Sequence, residues 1–316
     1  MIAKYLISRI ALALPTLLAV LLITYGLTFI SPFDPVKIML SANETARLDT
    51  PENIARMRAQ LGLDQPFLVQ FGRYVEGLLV GDWGRSINGQ REVWAMISKT
   101  LPVSFQLGLG AAALTALIGI PLGVLAAVQK NTWIDYLIVS GTLVLRTVPV
   151  FVLAPVLLVI LVLELKIMSV PRGWDGLFSS KAILPVVLLM FGPLAVVVRQ
   201  TRQAVLDVFG NDYIRTARAK GLRDYTIIMR HVLRNAMIPI VTIMGFVTEG
   251  LITGSIFLES IFAIPGFGAI SEQAFRQFDY PVIMGVTIVG AVLVILTNTL
   301  VDMLYPFLDP RVKLEG

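Results

Sequence analysis

Ile10–Ile30 reads IALALPTLLAVLLITYGLTFI, a run without one charged side chain. A helix needs about 20 apolar residues to cross the ~30 Å hydrocarbon core of a bilayer, so this run can span it. Lys4 and Arg9 precede it, a pattern shared with secretory leaders. The apolar stretch is longer than a leader's core, however, and no small-x-small cleavage site follows. It is expected to persist as a first span. Composition agrees: 56% of the 316 residues are hydrophobic and 15% charged, where a soluble domain carries roughly 25% charged. Mean hydropathy is +0.79. So few charges cannot clothe a water-facing surface, and lipid must cover much of the chain.

Further apolar runs lie at 103–128, 134–163, 183–198, 236–258 and 282–305, which predicts an all-α membrane protein of about six spans. The run at 183–198 is short, and Arg199 and Arg202 are expected to snorkel from its end. The run at 134–163 is long, and Pro149 and Pro155 predict kinks or tilt. Gly108, Gly110, Gly119 and Gly123 predict close approach of neighbouring helices. Between the last spans and the first, charge sets orientation. The segment 199–235 holds eight Lys and Arg against three Asp, a formal +5, and basic loops stay cytoplasmic. The amino end and the 128–133 connection add Lys4, Arg9 and Lys130. The expected organisation is a first span over 1–30, an external region over 31–100, and a transmembrane core over 101–310 containing the loop 199–235. A cytoplasmic tail follows over 311–316. Both termini are then cytoplasmic, in a plasma membrane.

Several chemistries are excluded. The chain has no cysteine, so no disulfide framework, thiolate metal site or Cys nucleophile is available. His231 is the single histidine, and it reads as a surface residue between loop and helix. No G-x-x-x-x-G-K-[ST] phosphate loop and no paired-carboxylate arrangement occur. No catalytic residue, metal site or cofactor is expected in this chain. The pI near 9.5 could suggest nucleic acid, but the basic excess is confined to one loop between spans.

That loop has its own local structure. Gly210-Asn211-Asp212 is a break followed by helix N-cap candidates. Tyr213–Lys220 reads as a two-turn helix, with Gly221 where a C′ glycine belongs, and Asp224 starts a second helix. A two-turn helix is marginal in water and must pack on something. An anionic lipid surface is one option and a partner protein the other. Asp212-Tyr213-Ile214-Arg215-Thr216-Ala217-Arg218-Ala219-Lys220-Gly221-Leu222, followed by Arg230-His231-Val232-Leu233-Arg234-Asn235-Ala236 and Pro239, resembles the cytoplasmic signature of ABC importer permeases of the peptide/nickel branch. Thr216-Ala217-Arg218 replaces the broader family's acidic-Ala-Ala triplet, and Leu233-Arg234 its Leu-Pro, as is usual in that branch. In that family the loop forms the coupling helix seated in a cleft of the ATPase subunit. The resemblance therefore implies that Asp212, Tyr213, Arg215, Thr216, Ala217, Arg218, Ala219, Lys220, Gly221 and Leu222 contact an ATPase.

The resemblance runs along nearly the whole chain. Asp34-Pro35, Leu61-Gly62-Leu63-Asp64-Gln65-Pro66, Arg73-Tyr74 and Gly81-Asp82-Trp83-Gly84-Arg85-Ser86 resemble the first external region of the B-type peptide permease. Glu259-Ser260-Ile261-Phe262 and Pro265-Gly266-Phe267-Gly268 resemble its last external loop. Asn298, Asp302, Tyr305 and Asp309-Pro310-Arg311 resemble its C-terminal end. These implicate a type I ABC importer transmembrane fold with an external helical cap. They also imply a homologous C-type permease, two ATPase subunits that bind ATP and Mg, and an extracytoplasmic substrate-binding protein, with no nucleic acid. Read physically, Gly81, Asp82 and Gly84 punctuate two helical stretches, and Pro265-Gly266 sets a tight turn. These residues and Ser86 either fold the external cap or face the binding protein.

Two charges lie deep within predicted spans. Arg146 is 12 residues past Ile134 and Glu249 is 12 past Met237, each roughly 18 Å in at 1.5 Å per residue. Intramembrane charges face a bundle interior or a wet cavity, so the two are expected to pair or to line a translocation pathway. The cargo implied is di- or oligopeptide, with nickel chelates, glutathione or sugars as alternatives within the family. An ion-coupled secondary transporter is the rival of another class. It calls for intramembrane carboxylates and inverted repeats, of which Glu249 is thin support.

Overall fold

Apolar runs that cannot satisfy their backbone in lipid except as helices fold as helices. The computed structural model describes residues 2–42, 50–253 and 255–308. In chain order the helices are α1 (Ile2–Ile30), α2 (Pro35–Ala42), α3 (Pro51–Leu61), α4 (Phe67–Leu79), α5 (Val93–Val128), α6 (Trp133–Thr147) and α7 (Val150–Leu158). Then come α8 (Ser180–Phe209), α9 (Asp212–Ala219), α10 (Asp224–Ile227), α11 (Leu233–Thr253), α12 (Ile256–Ile261), α13 (Phe267–Gln277) and α14 (Tyr280–Leu308). Val159–Glu164 and Ile228–Val232 are π-helical. Among the described residues, the one strand-like pairing is an isolated bridge between Arg85 and Glu92. The Asp309-Pro310-Arg311 motif and the tail 311–316 lie outside the described residues.

Five segments are long and apolar enough to cross a membrane, within α1, α5, α8, α10–α12 and α14. The expected third span is different. It is broken by 91° between α6 and Val150–Glu164. The break falls at Val148-Pro149, where Val148 is extended at φ −82°, ψ 118°, because a proline ring disfavours helical backbone in the residue before it. Pro155 sits inside α7 without a break. The broken pair still crosses. Its start is tied to the late part of α8 through Asp135 and Arg202. The loop that follows it is tied to the opposite end, where Gly173 N–H donates to the Phe262 carbonyl at 2.9 Å. Counted as one span, the pair brings the candidate crossings to six.

The fourth span also departs from expectation. It extends well past the apolar run 183–198, to Ser180–Phe209, and is the most protein-covered span. Arg202 does not snorkel; it is held by Asp135. The loop read as 199–235 therefore begins only at Gly210.

The chain divides into two compact units, one of Leu6–Pro102 with Gly266–Ile295, the other built around Val103–Pro265. In the first, Thr50 caps α3 through Asn53 N–H, and Gly62 closes it at φ +68°. Leu21, Met284 and Ile288 form a core with Tyr25, Phe71, Tyr74, Leu78 and Trp83. In the second, the small residues act as expected. A Cβ on Gly108 would lie 2.9 Å from the Ile252 backbone, and one on Gly123 2.7 Å from the Val198 carbonyl. Backbone, not a yielding side chain, blocks any substituent there, so α5 packs on α11 and α8 as only glycine permits.

Candidate functional site

The loop after α8 forms the helix its residues promise. α9 begins one residue earlier than expected, with Asn211 at its N-cap in extended conformation (φ −78°, ψ 145°). The Asn211 side chain does not cap α9. It turns back and donates to the carbonyls of Asp207 and Val208, closing α8 instead. At the other end Gly221 N–H donates to the Arg218 carbonyl and Leu222 N–H to the Ala217 carbonyl, with Gly221 at φ +76°. This pair of bonds is the Schellman termination, and the left-handed residue it requires explains the glycine.

Two turns of helix are held by burial. Ile214 and Ala217, three apart and so on one face, are buried against Ala204, Val205 and Val208 of α8 and against Ile227 and Val232. Asn235 at the start of α11 donates to the Tyr213 hydroxyl at 3.1 Å. The opposite face is open. Of the ten residues expected to meet a partner, nine are exposed, and Ala217 alone is buried. Ala217 thus seats α9 on its own chain. Ile214, which the motif reading left out of the contact set, is its companion. The surface carries Arg215 with Asp212 at 3.4 Å and Arg218 with Asp224 at 3.7 Å. Exposed pairs of this kind contribute about 0–1 kcal/mol each, so the charges on this face remain available for an outside surface.

Behind α9 lies a second feature that the sequence did not disclose. Arg202 of α8 donates from Nε at 2.7 Å and from a terminal nitrogen at 2.6 Å to the two oxygens of Asp135 in α6's first turn. Asn131 N–H adds a third bond at 2.9 Å. Asp135 is only 2% exposed. The available signal was an acid opening one apolar run and a base closing another, a pattern too common to select alone.

The two deep charges stand on α6 and α11. Arg146 lies in α6's last turn beside the 91° break and is exposed; Glu249 is half-buried on α11. Among the described residues no ion pair joins them. Pro239, Thr242 and Phe246 line a cleft with Gln200 of α8. Glu249 falls ten residues after Pro239 and three after Phe246, on the same stripe of α11.

The motifs expected to be external also resolve. Gly81 and Gly84 adopt φ +86° and +78°, and Asp82 accepts from Gly84 N–H at 2.9 Å, as turn chemistry requires. Ser86 is buried and does not face outward. It donates to Asp279, which also accepts from Ile87 N–H at 3.1 Å and Asn88 N–H at 3.4 Å. The tight turn read at Pro265-Gly266 lies earlier. Ala263 takes φ +51° after α12, its N–H donating to Ser260 while Ile264 N–H donates to Glu259. Gly266 is instead the extended N-cap of α13, and Pro265 is exposed. Glu259 is fully buried, accepting from Ser104 and Ser255 hydroxyls.

The described residues thus form five to six candidate membrane spans, with the short helix α9 docked after α8. A family model described as binding-protein-dependent transport system inner membrane component matches residues 119–314, and the N-terminal model of the same component matches 1–108. The chain is 35% identical over 314 residues to the dipeptide transport system permease protein DppB of Bacillus subtilis (strain 168), covering 99% of each. It is also 35% identical over 338 residues to the protein of that name from Escherichia coli (strain K12), covering 98% of each. The inward-facing MetNI methionine ABC transporter resembles it in fold, with a TM-score of 0.58 at 18% identity over 68% of this chain and 97% of that one. The chain belongs to the binding-protein-dependent transport system inner membrane component family.

Proposed function

We propose that this chain is the permease subunit of an ATP-driven, binding-protein-dependent importer of di- or oligopeptides, and that it is not itself an enzyme. The observation that carries the reading is α9, seated inward by Ile214 and Ala217 while nine other residues of the family's docking stretch face out. The names of its relatives, dipeptide transport permeases, support peptide as the cargo. On this reading α9 sits in a cleft of an ATPase subunit. A homologous C-type permease supplies the other half of the pathway, with a second ATPase and an extracytoplasmic binding protein completing the machine.

Orientation follows from the basic loop. With α9 and both termini cytoplasmic, the region 31–100 is external and 101–310 forms the transmembrane core. ATP binding draws the ATPases together and carries α9 with them. The spans alternate between inward- and outward-facing states only if the ATPases bind those states with different affinity. Glu249, on the cleft-lining stripe of α11, faces the pathway and meets the charged amino end of a peptide. Arg146, at the break in the third span, lies apart from it.

The experiment uses the full transporter. Leu222→Cys, in a chain with no other cysteine, should cross-link to the ATPase, and the complex should take up labelled dipeptide. Absence of both a copurifying ATPase and any cross-link would remove the importer assignment. Cross-linking with uptake of a different cargo would remove only the peptide assignment.

A further inference from the structure

The helix α4 carries apolar side chains on two faces. One packs on α1: Phe67 lies 5.9 Å from Tyr25 and 5.3 Å from Phe29, Phe71 5.7 Å from Tyr25, and Tyr74 5.6 Å from Tyr25, centroid to centroid. Gln70 fixes the register, accepting from the Tyr25 hydroxyl at 3.3 Å. Another face is largely exposed. Leu68 is 74% exposed, Leu79 84% and Val80 78%. Leu68, Gly72, Val75 and Leu79 recur at intervals of four, three and four, one stripe of a helix.

Depth decides what covers that stripe. Tyr25 lies five residues inside the end of α1's apolar span at Ile30, about 8 Å along the axis. Leu21 and Ile288, in the core that Phe71, Tyr74 and Leu78 join, lie nine and eight residues inside the ends of α1 and α14, roughly 14 and 12 Å. The helix therefore leans on two spans within their apolar lengths, not above them. α1 itself is clothed by little protein, with 6% of its most apolar window buried. A second marker sits beside the C-terminal end of α4. Trp83 and Trp94 lie 5.0 Å apart, Trp94 half exposed at the start of α5, and tryptophan and tyrosine collect at the level of lipid headgroups. Arg73 of α4 folds back toward Gly62, in the turn that precedes the helix.

We propose that α4 is an interfacial helix, with Leu68 and Leu79 set in the acyl–headgroup boundary of the leaflet beside the ends of α1 and α14. That this is the outer leaflet rests on the orientation proposed above. The occupant of the stripe is lipid: it continues the lipid-facing surface of α1, and an amphipathic helix of this kind lies in the interface plane. The contact anchors the 31–100 region to the bilayer from outside the bundle.

The native absence of cysteine makes a direct test simple. Leu68→Cys, Leu79→Cys, Arg73→Cys and Glu76→Cys are each spin-labelled in the complete transporter in lipid nanodiscs. Collision with oxygen, which enriches in lipid, is compared with collision by a water-soluble nickel chelate. Positions 68 and 79 should show a severalfold higher oxygen-to-nickel ratio than 73 and 76. Nickel access at all four would make α4 a water-facing cap and overturn the proposal. Shielding of 68 and 79 from both probes would mean a protein partner covers the stripe, and would overturn it equally. A membrane-impermeant thiol reagent applied from one side to Arg73→Cys reports orientation separately. Labelling only from the cytoplasmic side would refute the orientation while leaving lipid contact standing.

Discussion

Asp135→Ala removes the carboxylate that holds Arg202 to α6. The structure sets the size of the effect. Asp135 is 2% exposed and accepts three hydrogen bonds, two of them from one guanidinium. Breaking a fully buried ion pair by deleting one partner costs about 3–5 kcal/mol, because the other charge is stranded. Here the stranded group has relief. The Arg202 side chain is 23% exposed, and Asp135 lies only two residues inside the start of α6, close to headgroups and water. The loss should thus fall to about 2 kcal/mol, nearer the value of hydrogen bonds to charged groups. That is a roughly thirtyfold rise in local opening at 1.36 kcal/mol per factor of ten. Hydrogen exchange reads it directly, as faster exchange of amides around 131–138 and 199–206 with α11 and α14 unchanged.

A second variant separates the pair's net worth from the penalty of stranding. Asp135→Leu with Arg202→Met replaces both charges by apolar groups of similar volume, which is often neutral for buried pairs. The double variant should recover most of the protection lost in Asp135→Ala. If Asp135→Ala exchanges like the native protein, or if the double variant loses the sum of both single losses, the pair does not bolt α6 to α8 and the reasoning fails.

Other consequences follow from the same contacts. Ile214→Ala leaves a cavity under α9; a buried Ile→Ala change costs about 2–5 kcal/mol, so α9 should become protease-sensitive while membrane insertion stays native, as limited proteolysis would show. Gly221→Ala places a Cβ at φ +76°, a cost of about 1–2 kcal/mol. Transport and ATPase stimulation should fall at an unchanged level of membrane-inserted protein, which separates coupling from assembly. Asp279→Ala orphans the Ile87 N–H and leaves the Ser86 hydroxyl and Asn88 N–H bonded only to each other's residue, and exchange of the 85–92 amides should rise several-fold without a change in the α9 amides.

Much of the fold was legible because it rests on local rules. The apolar run at Ile10–Ile30 needs only a length count, and Gly221 needs only a helix that must stop. Gly108 and Gly123 could be read as contact points without knowing their partners. What was not legible depends on distant pairings. Asp135 and Arg202 are 67 residues apart, and Ser86 and Asp279 are 193 apart. Each pair looks like ordinary polar punctuation until the fold brings it together. The third span was expected to kink and instead breaks. Proline dictates where helix is disfavoured but not how far the chain turns, which neighbouring packing decides. For Arg146 and Glu249 a related limit applies. Equal depth constrains the coordinate along the membrane normal and says nothing about which face of each helix a charge occupies.

The bolt and the glycines bear on how a push at α9 would travel. α9 rests on the last turns of α8 through Ile214 and Ala217. A short way up the same helix, Thr201 and Val198 press on Gly123 of α5, and Arg202 grips Asp135 of α6. Three spans are thus joined at one level, by contacts that leave no room for sliding: backbone against a glycine, and a two-bonded ion pair. Packed interfaces of this kind move as a body or not at all. The body ends where α6 ends, because beyond Thr147 the chain turns by 91° and the helical hydrogen bonds do not continue. Motion carried in by α9 therefore has one built-in place in the third span to change direction, at Val148-Pro149. Arg146 stands next to that joint, which gives it a reason to exist other than pairing with Glu249. A positive charge in the last turn of α6 is favourably placed toward that helix's negative C-terminal end.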